Sequence, residues 1–225
     1  MIAAVVNAAA IVLGTLLGVF FRKGLPEHVK KVLTQGMGLS TVLIGLLSAI
    51  KTQNQMVVLL SVIVGGLIGS LIGIEKWLDR FGARVQRHFS TGAGDVGRAF
   101  VSATLIFCVG SMAIVGSIDA GLRGEYGTIF AKSVLDGVFS LVLASTLGPG
   151  VALSGLAVLV YQGGLTLLAG AMAPLLTERT ILEMGAVGGL LIVGIGLNMF
   201  RDQHLAVGDL LPAVFLPPLF LLFLS

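Results

Sequence analysis

The spacing of its apolar runs constrains this chain more than any single residue does. Stretches rich in Leu, Ile, Val, Ala and Gly lie near 2–21, 33–50, 56–74, 99–117, 128–147, 150–175, 181–200 and 205–224. Each is close to the ~20 residues with which a helix crosses roughly 30 Å of hydrocarbon. Only 11% of the residues are charged, against about 25% in an ordinary soluble domain. Lipid offers the backbone no hydrogen-bond partners, so segments of this length must satisfy themselves as helices. The pattern predicts an all-α, polytopic membrane protein of about eight transmembrane helices in a lipid bilayer. Only Gly148-Pro149-Gly150 divides the fifth and sixth runs. Two spans with a tight turn, or one span beside a re-entrant segment, fit that stretch equally well.

The basic residues predict an orientation. Arg22, Lys23, Lys30 and Lys31 lie between the first two runs, and Lys76, Arg80, Arg84, Arg87 and Arg98 between the third and fourth. The alternate connections hold Lys51, Arg123 and Arg179. The positive-inside rule then places the N-terminus outside the cell and, with eight spans, the C-terminus there too. A net charge of +3 does not indicate a nucleic-acid partner, because the basic residues sit between apolar runs and form no stripe. No basic segment precedes the first run, and Arg22-Lys23 follow it, so it reads as a retained helix rather than a cleaved signal. A single cysteine, Cys108, excludes an intramolecular disulfide and a CxxC metal cluster.

Between the third and fourth runs, Glu75 to Phe89 places Trp77, Leu78, Phe81, Val85 and Phe89 at helical spacing with arginines opposite. That is the pattern of a helix lying on the basic leaflet, with Arg80, Arg84 and Arg87 as a candidate anionic-lipid or partner contact. Ser90 to Asp95 reads as a flexible connection.

Thirty-two glycines allow close helix packing. Gly65, Gly69 and Gly73 share one face, as do Gly14 and Gly18. Intramolecular packing is the first expectation for these faces, and a homo-oligomer seam the second. Gly36 to Ile50 also resembles Gly185 to Met199, with Gly45 falling on Gly194. Spans one to three would then recur, inverted, as spans six to eight, the arrangement of many secondary transporters. The chain divides accordingly into repeat one (about 1–75), an interfacial linker (76–97), a central pair (98–148) and repeat two (149–225), within one membrane domain.

The fifth run carries Lys132 and Asp136 at i and i+4, where they share a helix face and can pair; Ser140 continues that face. Charge in the hydrocarbon is costly and marks a functional site by default. A substrate or ion site, and an ion pair that only fixes helix register, are the competing readings, with a surface location as a third. The opposing lysine discourages a simple cation site and points to a zwitterion, an anion or proton exchange. Gln162-Gly163-Gly164 interrupts a long run and is the candidate for an unwound segment exposing carbonyls. Asn7 and Asn198 are secondary candidates; Gln35, Ser40, Thr41, Ser145 and Glu183 read as hydrogen-bonding glue between helices. Asp119, Glu178, Arg179 and Asp202 read as loop charges.

No catalytic set emerges. His28, His88 and His204 are scattered, and no GxSxG, HExxH or Walker pattern is present. The expectation is a protein that is not an enzyme and carries no metal or cofactor.

Taken together, VVNAAAIVLGTLLG, GMGLSTVLIG, FCVGSMAIVGSIDAGLRG, KSVLDGVFSLVLASTLGPGV, VGIGLNMF and LLPAVFLPPL resemble the bacterial inner-membrane family labelled domain of unknown function 554, also called YdfK-like or YqgA-like. The resemblance covers essentially the whole chain. It implies a multi-pass protein of the bacterial inner (plasma) membrane and marks Lys132–Gly150 and Leu211-Pro212-Ala213 as parts of the family pattern. It assigns no activity. The residues themselves predict a transporter or channel for a small solute or ion, with a non-transporting scaffold or partner subunit as the alternative.

Overall fold

The computed structural model describes residues 1–22, 26–80, 96–108, 111–172, 174–200 and 205–223. Among them every regular element is helical: α1 (Ile2–Arg22), α2 (Glu27–Ala49), α3 (Gln55–Ile72), α4 (Val96–Cys108), α5 (Ser111–Leu122), α6 (Gly127–Leu147), α7 (Val151–Leu167), the short α8 (Ala169–Met172), α9 (Glu178–Asn198), a 3-10 helix (Gly208–Phe215) and α10 (Pro217–Leu221). Residues 74–80 are also helical. Of the expected interfacial helix, Phe81 to Phe89 lie outside the described residues, as do His88, His204 and Asp202.

Among the described residues, five helices are long and apolar enough to cross a membrane: α1, α2 from Lys31, α3, α6 and α9. The other expected spans differ in kind. In place of one straight span over 99–117, α4 and α5 meet at 60°. The last stretch contains Pro212, Pro217 and Pro218, which remove backbone donors, and the chain answers with 3-10 winding over Gly208–Phe215. At about 2 Å per residue, 3-10 winding also carries fewer residues further than an α-helix does.

Local chemistry sets the ends. Asn54 caps α3 by accepting from the Met56 and Val57 amides, and Gly73 ends that helix at φ 73°. Thr177 caps α9 by accepting from the Thr180 amide. Gly148, at φ 93°, closes α6, and α7 starts at Val151. The Gly148-Pro149-Gly150 segment is therefore a tight turn between two helices.

Glycines set the packing. α1 runs parallel to α6, and a Cβ on Gly14 or Gly18 would fall on the Gly137 or Leu141 carbonyl. Gly65 and Gly69 of α3 meet Ala213 and the Asp209 carbonyl in the 3-10 helix. Gly14, Gly18, Gly65 and Gly69 are thus occupied within the chain, whereas a Cβ on Gly73 would meet nothing. α4 and α5 follow one another alongside α7: Gly150 abuts Val96 and Ala99, and Gly121 abuts the Thr166 carbonyl and Ala169.

The α2–α9 contact is reciprocal. A Cβ on Gly45 would meet the Gly189 carbonyl and the Val193 amide, and one on Gly196 the Gly38 carbonyl and the Val42 amide. Gly194, matched to Gly45 in the sequence comparison, faces Val207.

Leu13, Leu16, Leu17 and Phe20 on α1 and Leu59, Ile63, Leu67 and Leu71 on α3 are exposed, as a lipid-facing surface requires. α9 lies at the centre. Met184, Val187, Leu191, Ile192 and Ile195 belong to a core cluster that includes Leu105, Leu165 and Val214 from three other elements.

Candidate functional site

α6 carries the charged pair near the middle of its length. Nine residues separate Asp136 from Gly127 and eleven from Leu147, so at about 1.5 Å per residue it lies about 14 Å and about 17 Å from the two ends. Lys132 Nζ is 2.5 Å from Asp136 Oδ2, with both side chains under a tenth exposed. The pairing is the one-turn geometry expected from i, i+4 spacing.

Two amides from other helices complete the cluster. Asn7 Nδ2 on α1 donates to Asp136 Oδ2 at 2.9 Å and to Gln162 Oε1 on α7 at 3.1 Å. Asn7 and Gln162 are fully buried. α1 thus stands between α6 and α7 and links them through one side-chain nitrogen. On the fourth side, the Phe107 ring centroid lies 5.9 Å from Lys132 Nζ, at the outer limit of cation–π attraction. Phe107 and Cys108 are the last described residues of α4.

Asn7 Oδ1 and Gln162 Nε2 have no hydrogen-bond partner. One acceptor and one donor are therefore left over beside the ion pair, each costing about 1–3 kcal/mol while unsatisfied. Across α4, a cavity of about 140 Å3 is lined by Thr104, Cys108, Tyr161, Leu211, Val214 and Phe215. Thr104 Oγ1 is likewise buried without a partner.

The remaining expected site residues go elsewhere. Ser140 Oγ donates to the Gly137 carbonyl of its own helix at 2.8 Å and packs where Gly14 leaves room, so it fills the α1–α6 seam and does not join Asp136. Gln162-Gly163-Gly164 is not unwound. All three lie inside the continuous helix α7, whose apolar neighbours hold it in place. The bent pair is instead α4 and α5, which stand at 60° to each other. Gly163 sits against Met1, and a Cβ on Gly164 would meet nothing. Asn198 exchanges hydrogen bonds with the Leu205 backbone at 2.9 and 2.8 Å, and its carbonyl accepts from Arg98 at 2.9 Å. It closes the end of α9.

Glu183 does more than glue helices. Fully buried, it accepts from Thr52 Oγ1 at 2.5 Å and from the Gln53 and Asn54 amides at 2.7 and 3.0 Å, tying the α2–α3 turn to α9. At the other end of α3, the Glu75 amide donates to Asp209 Oδ1 at 2.8 Å and the Gly208 amide to Glu75 Oε2 at 2.6 Å. Sequence reading missed this exchange and the part played by Phe107; no spacing rule links positions so far apart. Asp119 pairs with Arg123 at 3.3 Å. Among the described residues, no group of three or more His, Cys, Asp or Glu side chains converges as a metal site.

Comparison with known proteins yields a family without an assigned activity. The model of the family described as "Protein of unknown function (DUF554)" matches residues 2–222. The "Uncharacterized membrane protein YdfK" of Bacillus subtilis (strain 168) is 31% identical over 222 residues, covering 97% of this chain and 94% of that protein. The "Uncharacterized protein YqgA" of Escherichia coli (strain K12) is 30% identical over 216 residues, covering 94% and 92%. No solved structure matches.

Proposed function

The chain belongs to the DUF554 family, and from that premise we propose that this membrane protein is a secondary transporter or channel for a small solute or ion. The observation that carries the reading is the Lys132–Asp136 pair, held near mid-length by Asn7 and Gln162 from two other helices. Asn7 and Gln162 bring polar groups from α1 and α7 to a pair that Lys132 and Asp136 already form within α6. Unsatisfied atoms on Asn7 and Gln162 add a donor and an acceptor for a polar guest.

In this reading Asp136 is the ligand or coupling residue and Lys132 its counter-ion. Asn7 orients the carboxylate, and Gln162 in turn accepts from Asn7. The reciprocal α2–α9 contact supports an inverted repeat of spans one to three in spans six to eight, joined through a pseudo-two-fold axis in the membrane plane, as alternating access requires. The basic loops support an N-terminus on the outer side of a bacterial inner membrane.

The test is a thermal-stability screen of the purified protein against ions, amino acids and small organic acids, with Asp136→Asn in parallel. A ligand at 100 times its Kd stabilises the fold by about 2.7 kcal/mol. A hit lost in a folded Asp136→Asn protein, followed by uptake in liposomes, supports transport. Liposome uptake that Asp136→Asn leaves unchanged would overturn the assignment of Asp136. If no ligand shifts the wild type while Asp136→Asn changes only stability or assembly, the protein is a scaffold or partner subunit.

A further inference from the structure

At the end of the bundle away from the basic loops, a cleft of about 510 Å3 opens between the end of α2, the start of α9 and α5. Val115, Ile181, Leu182 and Gly185 line its apolar part, and Lys51 and Glu178 are its charged residues. A Cβ on Gly185 would meet nothing within 4 Å, so the floor is open space. Lys51 and Glu178 are exposed, and neither forms an ion pair among the described residues.

Thr52, next to Lys51, bonds Glu183, which holds the α2–α3 turn and its lysine against α9. A cation and an anion thus line the same apolar cleft.

We propose that this cleft binds one phospholipid of the ethanolamine type from the leaflet opposite the basic loops. The acyl chain occupies the apolar part. Lys51 takes the phosphate, and Glu178 accepts hydrogen bonds from the primary ammonium. Choline's quaternary ammonium has no N–H to offer Glu178, and glycerol headgroups carry no cation. The presence of one cation and one hydrogen-bond-accepting anion at the same cleft therefore selects the headgroup.

Native mass spectrometry of the full-length protein tests this, with ethanolamine, choline and glycerol phospholipids of matched chains at equal concentration. The ethanolamine lipid should be retained about fivefold over either competitor, the size of one exposed charged contact. Glu178→Gln should erase its advantage over the choline lipid, and Lys51→Ala should weaken all three. Gly185→Leu, which projects into open space, should expel the lipid while the melting temperature without lipid stays put. Soluble glycerophosphoethanolamine should not compete, because it lacks the chains. Equal or better retention of the glycerol lipid overturns the proposal, as does lipid binding that survives Gly185→Leu. A dimer that Gly185→Leu dissociates would show that a second copy fills the cleft, and would also overturn it.

Discussion

Asn7 and Gln162, 155 residues apart in sequence, share a 3.1 Å hydrogen bond through the same Asn7 nitrogen that holds Asp136 at 2.9 Å. A single amide thereby connects the first helix, the charged helix and the seventh. The link is local at no level of the sequence, and it ties the conformation of α1 to the charge on α6.

Removing that amide leaves the Asp136 carboxylate with Lys132 as its remaining side-chain partner and Gln162 Oε1 with none. Asn7→Ala should cost about 1–3 kcal/mol, the range for stranding buried polar groups, plus a packing loss. Thermal unfolding in detergent measures it. A stability equal to wild type would mean that the amide bridge is not formed in the membrane protein.

The ion pair itself should behave non-additively. Lys132→Met or Asp136→Leu alone strands a buried charge and should cost about 3–5 kcal/mol. The double variant removes both charges and should regain most of that loss, because a buried pair is a weak source of net stability. A double-mutant cycle reads the coupling. The double variant also separates structure from function: it should fold and fail to move any solute that wild type moves.

How much of this was legible beforehand depends on the range of the interaction. Lys132–Asp136 is a one-turn relationship, so helical spacing was enough to find it. The spans were visible because apolar length is a property of consecutive residues. Asn7 and Gln162 were each noticed as polar residues in apolar runs, but nothing in a single sequence says that they meet. Ser140 misled for the opposite reason: it shares the helical face of Asp136, yet its hydroxyl finds a carbonyl in its own helix, as serine and threonine often do. Gln162-Gly163-Gly164 looked like a break because glycines weaken isolated helices, whereas the packing around α7 overrides that propensity. Glycine content alone did not separate this stretch from the place where α4 and α5 bend.

Glycines at close contacts and glycines in open space should respond oppositely to alanine. Gly14→Ala and Gly18→Ala would place a methyl on a backbone carbonyl of α6, so α1 must move away and carry Asn7 with it. Losses of about 1–3 kcal/mol are expected from such overpacking. Gly164→Ala meets nothing and sits in a helix interior, where alanine is favoured by roughly 0.5–1 kcal/mol. Melting temperatures of the three variants should fall on either side of wild type. A destabilised Gly164→Ala protein would revive an unwound segment at that site.

Glu183 offers the sharpest separation between charge and hydrogen bonding. Its carboxylate accepts two backbone amides through Oε1 and the Thr52 hydroxyl through Oε2, and an isosteric glutamine keeps most of this. In Glu183→Gln the carbonyl oxygen of the new side chain can still accept from both amides, while its NH2 donates to Thr52 Oγ1, whose hydroxyl serves either role. Glu183→Gln should therefore stay within about 1 kcal/mol of wild type, near the net worth of one hydrogen bond. Glu183→Ala strands the Gln53 amide and the Thr52 hydroxyl, while the Asn54 amide keeps its 3.2 Å bond to Thr52 Oγ1, and should lose about 2 kcal/mol or more. If Glu183→Gln is as damaging as Glu183→Ala, the negative charge itself is required. The buried acid would then belong with Asp136 among the groups that act on a solute or ion, and the α2–α3 turn would be part of its path.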